Sequence, residues 1–277
     1  MTSNRSPRAL LASLFFVAAV ILAASPAHAH DTWLLPRTWT PAPGDSLQLD
    51  LTSGMHFPDL EAPMKPERIA HSGVRRRGLV RPLQVRTAGK KSLRLTAPLD
   101  SAGVYTMWAE AAPKFIELDS AHVEEYLDEI GARESVGKIW AAMPKPRRWT
   151  ENYTKHAKLL LRVRADSVDK NWNQPVGIGL ELVPESNPWG DWRRKEAFEV
   201  RLLREGHGVR DVTLSAHGDG IAELSHAITD SKGRASFHLR PGLWMISATV
   251  LRRSEDPPPQ SAAWESDFTT LTLWILP

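Results

Sequence analysis

Short runs in which apolar and polar residues alternate fill most of the chain beyond residue 30. In SLQLDLTSG, residues 46–54, Leu47, Leu49 and Leu51 share one face. LQVRT and SLRLTAP repeat the pattern at Leu83 and Val85 and at Leu93 and Leu95, and AGVYTMWAEA sets Val104, Thr106 and Trp108 together. A period of two predicts half-buried strands. The Pro-Gly, Gly-Lys-Lys and Asp-Ser-Ala-Gly signals between these runs predict turns, so the first part reads as an antiparallel sandwich.

The period then changes. In LDSAHVEEYLDEIG, residues 118–131, Val123, Tyr126, Leu127 and Ile130 recur at helical spacing. Asp119 or Ser120 is the expected N-cap, and Gly131 ends the element. A second helical stretch runs from Arg133 to Met143 and stops before PKPRR, giving a helical insertion at about 119–143. A strand from His156 to Asp166 leads out of it. The last third is again β-rich, with VGIGLELVP, AFEVRLLREGHGVRDVTLSAHG, RPGLWMISATVLRR and FTTLTLWIL. TDSKGRASFHL carries a hairpin signal at Asp230–Gly233, with Thr229, Asp230, Gly233 and Phe237 read as turn and core. The fold class is therefore mostly β: two β-sandwich-like lobes of immunoglobulin or transthyretin type, residues 30–168 with the helical insertion and residues 169–277.

The segment before this pattern has a different character. Arg5 and Arg8 precede an apolar run of about 16 residues, Ala9 to Ala24, and then Ala27-His28-Ala29. A basic start, an apolar middle and an A-x-A site predict a secretory signal peptide over residues 1–29. The run is short for a span that needs about 20 residues, so the mature chain is expected not to span a membrane and to be periplasmic or secreted. The chain has no cysteine, so packing alone must hold it together and any metal must take nitrogen, oxygen or thioether ligands. The formal charge of +3 includes the two leader arginines. The clusters Arg75-Arg76-Arg77 and Arg193-Arg194-Lys195 are short and lack the aromatic pattern of a nucleic-acid module; no nucleic-acid partner is expected. The sequence carries no signal of an oligomeric state.

Eight landmarks occur in order: AHAHDTWLLP, PAPGDSLQL, SAGVYTMWAE, VEEYLDEIG, YTKHAKLLL, PVGIGLELVPESNPW, TDSKGRASFHLRPGLWMISA and WESDFTTLTL. Together they resemble an exported domain-of-unknown-function family known as NikM-like, a substrate-specific component of nickel uptake. The resemblance covers nearly the whole mature chain. It implies two β-sandwich-like lobes outside the cytoplasm, a role in transition-metal handling, and a metal-transporter membrane component as partner. The chain lacks the membrane helices of a complete uptake component, and His156 stands where an aromatic or apolar residue is more usual.

The residues at the start of the mature chain carry their own chemistry. A cut after Ala29 makes His30 the first residue, with its α-amine and imidazole Nδ1 able to chelate one metal ion. A second imidazole completes a three-nitrogen histidine brace, which suits Cu(II) or Ni(II). A cut after Ala27 instead places His30 third, where amine, backbone amides and imidazole form a four-nitrogen site for the same two metals. His56, in the loop SGMHFPDLE after the 46–54 strand, is the expected partner: an antiparallel pairing of the first two strands brings the end of the second to residue 30. Met55 adds a thioether, useful for Cu(I).

Other histidines are weaker candidates. His217 and His226, with Asp219 and Glu223, form an alternative divalent set; His122 and Glu125 lie one turn apart on the helix. His71, His156, His207 and His238 have no evident partner. There is no H-E-x-x-H, G-x-S-x-G or phosphate-loop motif, which removes hydrolase and kinase readings. The expected function is a non-catalytic exported protein that captures or delivers Cu(II) or Ni(II) through His30 and His56. The alternatives are a copper-dependent oxidative enzyme of the brace type and a metal-free carbohydrate-binding or adhesion module, for which NPWGDW, with Trp189 and Trp192, is the best aromatic surface.

Overall fold

The computed structural model describes residues 30–164, 171–190, 197–254 and 262–276. The signal-peptide segment and Trp192 lie outside the described residues. Three sheets stack. One outer sheet has the order β1 (Asp31–Pro36), β2 (Ser46–Gly54), β7 (Leu93–Pro98), β6 (Gln84–Ala88), with β3 (Ala62–Pro63) on β2. The middle sheet runs β15 (Ser225–Ile228), β14 (Thr213–Gly218), β17 (Gly242–Arg253), β18 (Trp264–Ile275), β10 (Trp149–Val163), β8 (Gly103–Ala111), β4 (Ile69–Arg76), β5 (Leu79–Arg81), with β9 (Lys114–Leu118) on β10. The other outer sheet is β11 (Leu180–Pro184), β12 (Phe198–Arg204), β13 (His207–Gly208), with β16 (Arg234–Phe237) on β12.

Each half of the chain supplies one outer sheet and its own core, and the middle sheet belongs to both. Its seam is the parallel pairing of β10 with β18, Glu151↔Trp264 through Leu159↔Thr272. On one face Tyr105, Met107, Leu159 and Leu161 join Leu34, Leu49, Leu51 and Leu95 in the first core. On the opposite face Val104, Leu160, Leu271 and Ile246 join Leu182, Phe198, Val200 and Phe237 in the second. This explains why β8 and β17 are buried on both faces and do not alternate: a sheet covered on both sides has no polar face. In β17, Trp244, Ile246 and Ala248 enter the second core while Met245 is buried on the other side.

Two sequence expectations are corrected. The turn at Asp230 forms, with the Asp230 carboxylate accepting the N–H groups of Lys232 and Arg234 at 2.8 Å each and Gly233 at φ 78°. The strands on either side then part: β15 pairs with β14 in the middle sheet and β16 with β12 in the outer one. The motif is a crossing between layers, not a hairpin. Helix α1 (Val123–Glu129) begins at Val123, not after Asp119 or Ser120; the Asp119 carboxylate accepts the Ala121 N–H at 3.0 Å and makes a turn before the helix. Helix α2 (Arg133–Ala142) follows Gly131, whose φ of 68° closes α1. The pair covers the start of β10 and β18, where Trp149 stacks on Trp264 at 4.6 Å and Trp140 meets Trp149 edge-on. Buried Glu151 is satisfied there by Tyr126 Oη at 2.6 Å, Trp149 Nε1 at 2.8 Å and the Ser266 hydroxyl.

Candidate metal centre at the start of the first strand

The register of β1 against β2 pairs Asp31 with Gly54. The chain at residue 30 therefore reaches the 55–61 loop, as the antiparallel reading requires. That loop is held by one carboxylate oxygen. Glu61 Oε1 accepts the backbone N–H of Met55 at 3.0 Å and of His56 at 2.7 Å, and it faces His56 Nδ1 at 3.3 Å. Asp59 N–H closes on His56 O at 2.7 Å, and Phe57 packs edge-on against Trp33, 5.8 Å between centroids. A Cβ at position 54 would lie 2.5 Å from Glu61 Cδ, so any larger residue there must displace the Glu61 carboxylate. Burial works to raise the Glu61 carboxyl, but the two backbone N–H groups and the His56 ring outweigh it and hold it below its ordinary value. The His56 side chain is 81 % exposed. Nδ1 is the ring nitrogen nearer Glu61, which leaves Nε2 as the one free of that contact.

The other side of residue 30 is fixed by the middle sheet. Lys155 Nζ donates to the His30 carbonyl at 2.5 Å. Burial lowers the Lys155 ammonium to about 8, with Asp31 opposing and Arg68 and Lys114 adding to the fall. Burial likewise raises Asp31 against the pull of His217 and Lys155. His217 Nε2 stands 3.8 Å from Asp31 Oδ2 and 3.3 Å from the Ser247 hydroxyl. His217 and His226 line a cavity of about 260 Å³ with Asp31 and Ser247. The acid that meets His217 is thus Asp31, from the far end of the chain, and not Asp219 or Glu223. His122 and Glu125 are both exposed at the start of α1.

His156, which had no evident partner in the sequence, lies between two carboxylates. Its Nδ1 is 3.0 Å from Glu110 Oε2 and its Nε2 3.4 Å from Asp267 Oδ1. Asp267 also pairs with Arg204 and, at 3.1 Å, with Arg252. Gly179 closes over the ring, its N–H on Glu110 at 3.1 Å. Burial opposes the charged ring, yet Asp267 and Glu110 prevail and raise His156 above its ordinary value. The ring is sealed, 2 % exposed, and serves the joint between layers. Among the described residues no group of three or more His, Asp or Glu side chains is arranged to hold a metal ion. A brace needs only two residues, because the first supplies two nitrogens.

Residues 27–252 match the family described as Domain of unknown function (DUF4198). The chain belongs to this family. The DUF4198 match takes in His30, His56 and Glu61 and stops within β17, before β18 completes the middle sheet. No curated protein matches. Similar solved structures include the fibronectin(III)-like modules of Clostridium thermocellum CbhA, at 8% identity over 88% of this chain and 94% of that one, TM-score 0.20. The D0–D1 domain of intimin is 10% identical over 87% and 97%, TM-score 0.22. Salmonella alpha-2-macroglobulin is 13% identical over 91% and 15%, TM-score 0.23. No helix among the described residues is long and apolar enough to cross a membrane.

Proposed function

We propose that this DUF4198 protein is an exported carrier that binds Cu(II) or Ni(II) at its processed N-terminus and hands it to a membrane transporter component, the NikM-like role. The α-amine and imidazole of His30 and the Nε2 of His56 would hold the metal. The observation that carries the reading is the His56–Glu61 contact. A histidine that ligates a metal through one nitrogen characteristically directs the other at a carboxylate or carbonyl, which sets tautomer and orientation. Glu61, 3.3 Å from His56 Nδ1, would do this while it also ties down the loop backbone, and the pairing of Asp31 with Gly54 supports the approach of residue 30 to the same loop. Nitrogen donors of this kind suit Cu(II) and Ni(II). The test is calorimetric titration of the chain beginning at His30 with each metal, alongside His30→Ala and His56→Ala. One equivalent bound by the parent and lost in both variants supports the proposal; parent-like binding in either variant ends it.

A metal-free carbohydrate module is favoured by a separate feature. Trp189, Trp39 and Trp274 line a cleft of about 580 Å³, within the range of ligand pockets. Saturable quenching of tryptophan fluorescence by an oligosaccharide, indifferent to His56→Ala, would favour that reading. An oxidative enzyme would show oxygen-dependent release of oxidised sugar once loaded with copper.

A further inference from the structure

Lys155, which donates to the His30 carbonyl, also lines a cavity of about 450 Å³. Its wall carries four cations, Lys65, Arg68, Lys114 and Lys155, and a single acid, Glu67. The cations come from three places: the turn before β4, the start of β9 and the middle of β10. Tyr153 gathers two of them, with the Arg68 guanidinium 5.2 Å and the Lys155 ammonium 5.6 Å from its ring. Such contacts stabilise each cation modestly and do nothing about their mutual repulsion. None of the four forms an ion pair among the described residues. The Nη1 of Arg68 is buried without a hydrogen-bond partner.

A concave site of one sign gathers counter-ions, and guanidinium favours oxyanions because its fork matches two oxygens. The spread of cations across this cavity calls for several separated carboxylates, and the volume exceeds what one tetrahedral oxyanion fills. Ser53 also lines the cavity; it pairs with Thr32 in the β1–β2 ladder, directly before Gly54 and the His56 loop. Ser53 on the cavity wall thus lies three residues before His56, and Lys155 on the same wall holds the His30 carbonyl. We infer that this cavity binds a small polycarboxylate, so that the metal is received as its anionic chelate beside His30 and His56. The anion site stands on its own geometry; its link to metal rests on the proposed function.

The experiment uses metal-free protein beginning at His30, titrated calorimetrically with citrate, and in parallel arms with inorganic phosphate and acetate at constant ionic strength. Lys65 and Lys114 are exposed, so Lys65→Ala/Lys114→Ala should fold normally, as an unchanged Tm would show. Saturable one-to-one citrate binding is expected, weakened at least about tenfold by the double variant, in line with the loss of two charge-assisted contacts. His56→Ala should leave it within about twofold. Absent citrate binding, equal affinity in the double variant, or phosphate binding tighter than citrate each overturns the inference. No metal is present in these arms, so their failure leaves the metal proposal standing, and titration with the bare metal ion judges that separately.

Discussion

Glu181→Leu should be among the most damaging single substitutions outside the apolar cores. Lys158, on β10, is fully buried, and its ammonium donates to Glu181 on β11 and to the Leu182 carbonyl at 3.1 Å. The pair crosses from the shared middle sheet to the second outer sheet. Removing the carboxylate leaves a buried cation whose remaining charged neighbour, Arg75, has the same sign. At pH 7 the lysine escapes only by losing its proton, which from the ordinary value of 10.5 costs about 5 kcal/mol. Broken buried pairs commonly cost about 3–5 kcal/mol, so both routes give the same size, a large part of a total stability of about 5–15 kcal/mol. Lys158→Met should cost less, about 1–3 kcal/mol. Glu181 would keep the N–H groups of Val176 at 2.8 Å and Gly177 at 2.9 Å. Lys158→Met/Glu181→Leu should recover most of the loss, since apolar replacement of a whole buried pair is often near neutral. Urea unfolding followed by tryptophan fluorescence measures all three. A cost below about 1 kcal/mol for Glu181→Leu, or a larger cost for Lys158→Met, would refute the reasoning.

Glu61→Gln keeps the shape of the loop anchor and removes its charge, so Cu(II) or Ni(II) affinity should fall about 10–100-fold, read by competition with a chelator of known affinity. Gly54→Ala drives a methyl group into Glu61 and should give a similar loss; an unchanged affinity would mean that Glu61 does not orient His56. His156 gives a pH signature in unfolding midpoints. Its folded value is raised above 6.5, so its contribution is complete below about pH 6.5 and is lost as pH rises through the folded value. Glu110 is lowered, because the His156 ring and the Gly179 N–H outweigh its burial; its contribution is lost as pH falls below 4.5 through the folded value. His156→Gln should abolish the alkaline fall, and an alkaline slope equal to the parent's would count against a raised His156 as its source.

Local patterns identified the elements because each depends on neighbours in the chain. Leu47, Leu49 and Leu51 mark β2, and the helical spacing of Val123, Tyr126 and Leu127 marks α1. The shared middle sheet was not legible, since the parallel pairing of β10 with β18 joins residues more than a hundred positions apart. Separations of 46 and 111 residues hid the partners of His156, which are Glu110 and Asp267. A residual signal existed in the uninterrupted apolar character of LLL at 159–161 and LWMI at 243–246, which a strand with one wet face does not show. At the candidate metal centre, His30 was named from the expected cleavage after Ala29 and His56 from the expected β1–β2 pairing. Glu61 was visible beside His56 only as one more acid, and its role depends on a loop folding back onto Gly54. The approach of Asp31 to His217 was hidden because sequence offered Asp219 as the nearer acid.

The account rests on an α-amine acting with two imidazoles, and blocking that amine tests it most directly. The chain beginning at His30 would be titrated with Cu(II) and with Ni(II), free and α-acetylated. Acetylation leaves both imidazoles in place and removes one nitrogen. One tight equivalent is expected for the free terminus, with a loss on acetylation exceeding the roughly 100-fold upper cost of changing a group that only orients a ligand. Equal affinity for the two forms would contradict it.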